Sequence, residues 1–255
     1  MKKTLCLLLL SLLVIACKNQ TEKTDKSFSF IEQGQYVVDS YNGHSVYRDK
    51  KNKKIMDGYY VVGNELTKWE EFSVKEGLLD GDYLLFHNNG EIFSHAIYSK
   101  GKKHGAEKTY YPSGTLKKTV MYANDVITGT VETYFESGQV ATKATYKDGK
   151  SVESSAYDIL GNIVSQTFIK DGRTITQTIR GGKVYSEQIN SNYDSFEATK
   201  FYNEDGSLAK FLRFFEDGDT AYLIELDEDG NEIKRLNAKE NPQELLEYQK
   251  YFIGL

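Results

Sequence analysis

Apolar and polar positions alternate with period two along most of this chain, and the alternation restarts at a fixed interval. Residues 92, 94, 96 and 98 read Ile-Ser-Ala-Tyr, residues 116 to 122 read Leu-Lys-Val-Tyr, residues 140 to 146 read Val-Thr-Ala-Tyr, and residues 208 to 214 read Leu-Lys-Leu-Phe. A period of two with one mostly apolar face predicts half-buried strands. The intervening positions, such as Lys117, Thr119 and Met121, are mostly more polar.

The interval is set by glycine. Gly81, Gly105 and Gly129 are 24 residues apart, as are Gly90, Gly114 and Gly138. Four residues before the second set stand Phe86, Tyr110 and Tyr134, continued by Tyr157 before Gly161 and Tyr202 before Gly206. An aromatic thus recurs at every one of these places against an aromatic content of 13%, which excludes coincidence. Two residues after the glycine come Ile92, Leu116, Val140, Ile163 and Leu208. Each unit therefore predicts a β-hairpin with glycine in its turn, and a second turn such as "KDGK" leads to the next copy. Gly230 keeps the spacing but carries Leu226 and Ile233, which predicts a degenerate last copy. Asp125 stands in for a turn glycine, Glu153 interrupts the first ladder, and residues 173–200 fit no clean copy, which predicts an insertion or a break between two stacks.

A single hairpin is not stable alone, so units must stack and be capped. The expected fold is all-β: an elongated, twisted antiparallel sheet of stacked hairpin repeats, about 70 Å long at roughly 10 Å per unit. "NPQELLEYQKYFIGL" supplies a cap, with Asn241 as N-cap, Pro242 at the first helical position and Glu244 two residues on. Leu245, Tyr248 and Phe252 then share one helical face. The resulting organisation is a leader over 1–16, a modified cysteine and tether over 17–27, repeats over 28–240 and a helix over 241–255.

Composition adds a destination and removes some partners. "MKKTLCLLLLSLLVIAC" places two lysines before a mostly apolar run from Leu5 to Ala16, too short for a transmembrane span of about 20 residues but suited to a signal peptide. Removing it leaves a mature charge of about −7, from 30 basic and 37 acidic residues, which argues against nucleic acid. The basic run "RDKKNKK" reads as a solvated hairpin loop. Four histidines, His44, His87, His95 and His104, lack metal-ligand spacing. The acidic segments around Gly206, Gly218 and Gly230 lack the calcium-loop pattern and read as turns. No convergent set of nucleophile, base and orienting group is evident, so neither an enzyme nor a cofactor is expected.

Two resemblances add to this. Val14-Ile15-Ala16-Cys17 resembles the lipobox of bacterial lipoproteins, which implies cleavage before Cys17 and its acylation. Lys18 in the next position is similar to lipoproteins carried to an outer membrane, facing the periplasm or the surface. Cys6 lies in the leader, so the mature chain would hold neither a free thiol nor a disulfide. "YYPSGTL" and its copies resemble the MORN repeat variant of the YwqK-type antitoxin family, most clearly over residues 81–150. That resemblance implies a protein-interaction scaffold, antitoxin or immunity-like in its most specific form. Phe93, Tyr111 and Phe135, on the strand face opposite the core, are the expected partner contacts, with His87 as a counterpart of Tyr111. The alternative is a module for envelope carbohydrate or lipid, with stacked tyrosines as its platform.

Overall fold

The computed structural model describes residues 27–41 and 43–252. Cys17, the leader and all of the tether except Ser27 lie outside the described residues, as do residues 253–255 of the C-terminal segment.

The N-terminal strands are β1 (Phe28–Ile31), β2 (Tyr36–Tyr41) and β3 (His44–Asp49). They are followed by β4 (Gly58–Gly63), β5 (Lys68–Lys75), β6 (Leu78–Phe86), β7 (Ile92–Ser99), β8 (Lys102–Tyr110) and β9 (Leu116–Ala123). The middle holds β10 (Val126–Ile127), β11 (Gly129–Tyr134), β12 (Val140–Lys147), β13 (Lys150–Tyr157) and β14 (Ile163–Lys170). The last strands are β15 (Arg173–Arg180), β16 (Lys183–Ser191), β17 (Glu197–Tyr202), β18 (Leu208–Asp217), β19 (Thr220–Leu226) and β20 (Glu232–Asn237).

Among the described residues eighteen strands form one sheet, and β2 and β3 form a separate hairpin. From β4 onward the sheet is an open antiparallel meander, each strand paired with the next in the chain; the short β10 and then β11 both pair with β9. The one departure is β1, which lies parallel to β4, with Phe28 opposite Tyr59. The intervening β2–β3 hairpin supplies the crossover that a parallel pair needs.

The glycine spacing has a direct geometric meaning. Tyr111 N–H donates to the Thr115 carbonyl and Gly114 N–H donates back to the Tyr111 carbonyl, both at 2.8 Å. The same pair of bonds closes the turns at Gly90 and Gly138. Gly90, Gly114 and Gly138 have φ between +82° and +92°, a region that costs glycine nothing and other residues much more. This is a hairpin turn followed by a left-handed residue, and it forces a bulge. The register shifts by one just before each repeat aromatic, which then pairs across the turn: Phe86 with Ile92, Tyr110 with Leu116, Tyr134 with Val140. The first glycine ladder is paired with the tyrosine of the following strand: Gly81 with Tyr98, Gly105 with Tyr122, Gly129 with Tyr146.

The degenerate last copy keeps its turn, and one expectation is corrected. Gly230 lies in an intact turn, with Asp227 N–H on the Asn231 carbonyl at 2.9 Å, because the turn needs only its glycine and not the aromatic that Leu226 replaces. Residues 173–200 do not interrupt the sheet. There β15 and β16 are joined by Gly181 and Gly182, both with positive φ, and this two-residue turn shortens the unit and destroys the spacing without breaking the pairing. In the turn between β9 and β10, Asn124 and Asp125 both take positive φ, and the Asp125 carboxylate accepts the Lys103 N–H at 2.8 Å.

Both caps cover the same face. The register leads from Phe72 through Tyr83, Ala96 and Glu107 to Val120, then from Lys118 through Thr133, Thr142, Ala156, Ser165, Thr178 and Ser186 to Phe201. At the first end, Tyr47 and Met56 bury Phe72, Val62, Val74 and Leu79. At the last end the C-terminal segment buries Phe201, Leu212, Leu223 and Leu236. That segment comprises α1 (Pro242–Leu245), a 3-10 turn (Leu246–Tyr248) and α2 (Gln249–Phe252). Leu245, Tyr248 and Phe252 all face the sheet, as their spacing predicts. Asn241 does not cap with its side chain; its Oδ1 accepts the Asn237 N–H at 3.0 Å and its Nδ2 donates to Glu244, because the chain must fold back tightly from β20.

Candidate functional site

The sequence places candidate contacts along the glycine-turn edge, and the structure shows what holds each of them. Tyr111 follows the last residue of β8 and is half-buried in the turn. Its hydroxyl donates to the Tyr134 carbonyl at 2.8 Å, and Lys117 Nζ stands 5.3 Å from its ring centre. His87, its counterpart one copy earlier, places Nε2 3.2 Å from the Tyr110 carbonyl and meets Phe93 edge-on at 5.1 Å. Asn89 donates to the Pro112 carbonyl, and Ser113 donates to Glu136.

These bonds all run from one repeat to the next. The edge of the first copies is therefore stitched turn to turn, and the Tyr111 hydroxyl is a part of that stitching. Phe135, at the equivalent position, has no polar atom to continue the ladder and is half-buried. Phe93 is 42% exposed on β7. The structure brings Phe93 against His87 and leaves Tyr111 and Phe135 in successive turns. Tyr111→Phe is expected to lower stability by about 0.5–1.5 kcal/mol, the worth of one hydrogen bond, visible as a lower urea midpoint with an unchanged slope. An unchanged midpoint would show that the hydroxyl is free in solution.

Half-buried carboxylates paired with tyrosines are the feature that sequence reasoning missed. Glu70 accepts hydrogen bonds from both Tyr36 and Tyr83. Burial first, then the Glu70 carboxylate, pushes both phenols above their ordinary range. Glu187 accepts from Tyr202 at 2.5 Å, and Glu225 accepts from Tyr248 at 2.7 Å. Tyr36 and Glu70 are 34 positions apart, with no spacing signal to connect them.

The acidic turns are self-satisfied. Asp227 accepts from the backbone and side chain of Asn231, and Asp205 accepts from Ser207. Asp227 lies below the usual carboxylate range, chiefly through the Asn231 side chain. His95 reaches Asp82 at 2.8 Å. Among the described residues, no group of three or more His, Cys, Asp or Glu side chains could hold a metal ion, and no helix is long and apolar enough to cross a membrane.

Two adjacent hairpins carry a known signature. Residues 103–124 and 127–148 match the MORN repeat variant. They comprise β8 to β12, where the glycine ladders and bulged turns are most regular. No curated protein matches the sequence. Among solved structures, accessory secretory protein 1, 2 and 3 of Streptococcus pneumoniae is similar over 39% of this chain and 19% of that one, at 15% identity and a TM-score of 0.26. A TcdB2-TccC3-TEV structure is similar over 80% of this chain and 14% of that one, at 9% identity and a TM-score of 0.20. This chain thus spans less than a fifth of either, and neither likeness bears on what it does.

Proposed function

We propose that this chain is a repeat scaffold that binds another protein and is held on a bacterial envelope membrane by lipid on Cys17. The observation that carries the scaffold reading is the sparing of the sheet's centre. The β2–β3 hairpin and the C-terminal segment cover only the two ends of one face, and the row from Lys118 through Thr142 to Thr178 stays accessible between them. Covered ends keep the edges of a repeat sheet from aggregating, and an uncovered centre is what a repeat protein offers to a partner. The MORN variant match lies in that centre.

Phe93, exposed on β7, and Phe135, half-buried in its turn, lie outside this row and would add contacts at the turn edge. If the partner is a toxin, as the antitoxin resemblance implies, occlusion by the sheet would neutralise it, and co-expression would rescue growth. Glycan binding is less well supported, because the Tyr36, Tyr83, Tyr202 and Tyr248 hydroxyls are committed to carboxylates within the fold.

Two experiments test the proposal. A photo-crosslinking residue at Thr142 is expected to trap one discrete protein, and excess unlabelled sheet is expected to compete it away; no competable product would remove the scaffold reading. Cys17→Ser is expected to move the chain from the membrane to the soluble fraction, since two acyl chains are needed for stable anchoring. A variant that stays membrane-bound, with no lipid on the wild type by mass spectrometry, would remove the anchor.

A further inference from the structure

We infer that the face of β15–β20 opposite the C-terminal segment binds an extended acidic peptide segment through Arg173 and Arg213. This deepens the scaffold reading by naming a partner chemistry and a place.

Guanidinium groups and rings alternate across this face. Arg173 lies 5.5 Å from the centre of the Phe196 ring, and Arg213 lies 5.1 Å from the same ring and 5.5 Å from Phe215. Phe215 meets Tyr222 at 6.4 Å, and Arg235 stands 5.5 Å from Tyr222. The register puts Arg213, Ile224 and Arg235 in one row, so the arrangement belongs to the sheet itself. Beneath it, Ile189, Ala198, Phe211, Ile224 and Leu226 form a buried cluster that fixes the strands.

The three arginines are not equivalent. Arg235 is held by both oxygens of Glu232, at 2.6 and 2.9 Å. Among the described residues, Arg173 and Arg213 have no carboxylate within ion-pair distance, and Arg213 Nε is buried without a hydrogen-bond partner. Asp194 is near enough to feel both guanidiniums, but its oxygen accepts the Phe196 N–H at 2.8 Å. In a chain with 37 acidic and 32 basic residues, two arginines that share one nearby carboxylate, Asp194, and form an ion pair with none mark a place for an acid from elsewhere.

The chemistry selects the class of ligand. A guanidinium stacked on a ring keeps its N–H edge free for planar, bidentate recognition of a carboxylate. The ring faces are already occupied by arginine, which removes the stacking platform that a sugar or a base would use. The net charge of −5 opposes a dense polyanion such as nucleic acid. Both guanidinium centres lie within 5.5 Å of the Phe196 ring centre and so no more than about 11 Å apart, which an extended peptide covers in at most about three residues. Two acidic residues at that separation fit the pair.

The test uses the full chain in detergent and a fluorescein-labelled extended peptide with two glutamates about two to three residues apart. Saturable polarisation is expected, weakened about ten-fold by Arg213→Gln and further by the Arg173→Gln, Arg213→Gln pair, and lost between about 0.05 and about 0.3 M salt. Arg213→Lys is expected not to restore it, since an ammonium lacks the fork. A glutamine version of the peptide that binds equally, or equal binding by polygalacturonate or an oligonucleotide, would overturn the assignment. Both variants should keep the wild-type urea midpoint, which separates lost binding from lost folding. Retention of the Thr142-crosslinked protein by the double variant, with no peptide binding by the wild type, would sink this site and leave the scaffold reading standing.

Discussion

Replacing Phe72 by alanine is expected to cost about 3–5 kcal/mol and to unfold the N-terminal end of the sheet before the rest. Phe72 is fully buried, and Tyr36, Tyr47, Tyr60 and Tyr83 all pack their rings within 5.1 to 6.1 Å of it. Removing the ring leaves a cavity that four large neighbours, each held by its own strand, cannot collapse to fill. In a repeat sheet each hairpin contacts only its neighbours, so the loss stays local and cooperativity splits. Trp69, the chain's single tryptophan, packs against this cluster and reports on it alone. In urea its fluorescence is expected to change at a lower midpoint than the far-ultraviolet circular dichroism; coincident transitions at the wild-type midpoint would refute the account. The same end is alkali-sensitive. Burial, then Glu70, pushes the Tyr47 phenol up to about 12, so the fold's preference for its neutral form is fully present below the ordinary value of about 10 and is lost as pH rises through about 12.

The repeat was legible in sequence because its rules are local. Gly114 must take a positive φ, Tyr110 must precede the bulge and Leu116 must follow it, and all three lie within one hairpin. The ladder failed where the turn chemistry changed, at Gly181-Gly182, although the strands on both sides pair normally. The parallel pairing of β1 with β4 left no trace, since "FSFI" carries no sign of its partner 31 positions away. Glu70 with Tyr36, and Arg213 with Phe196, were equally hidden, because each pair is assembled from different hairpins by register and twist. Tyr111 shows the limit from the other side: alternation predicts its exposure, while the next repeat takes its hydroxyl.

The C-terminal cap gives the second large effect: Tyr248→Ala is expected to cost about 3–5 kcal/mol and to release the last strands. Tyr248 is 5% exposed and packs with Phe201, Leu212, Leu223 and Leu236. Its hydroxyl also donates to Glu225 at 2.7 Å, while Lys210 reaches the other oxygen of that carboxylate at 2.5 Å. Burial alone would raise the pKa of Glu225; the hydrogen bonds from Lys210 and Tyr248 outweigh it and hold the carboxyl below its usual range. A depressed carboxylate stabilises the fold above its unfolded value, about 4.3, and that contribution disappears as pH falls through the folded value. The cap should therefore loosen in acid. Tyr248→Phe separates the two contributions, since it keeps the ring and removes only the donor, for about 1.5–3 kcal/mol. Its acid sensitivity should shrink along with its stability, because Glu225 loses one of the bonds that depress it. Hydrogen exchange at Leu212, Leu223 and Leu236 reads the cap directly, and faster exchange there in Tyr248→Ala than at Phe72 is the expected pattern. Equal acceleration at both ends would mean that the sheet unfolds as one unit and that its two caps are coupled through all the strands between them.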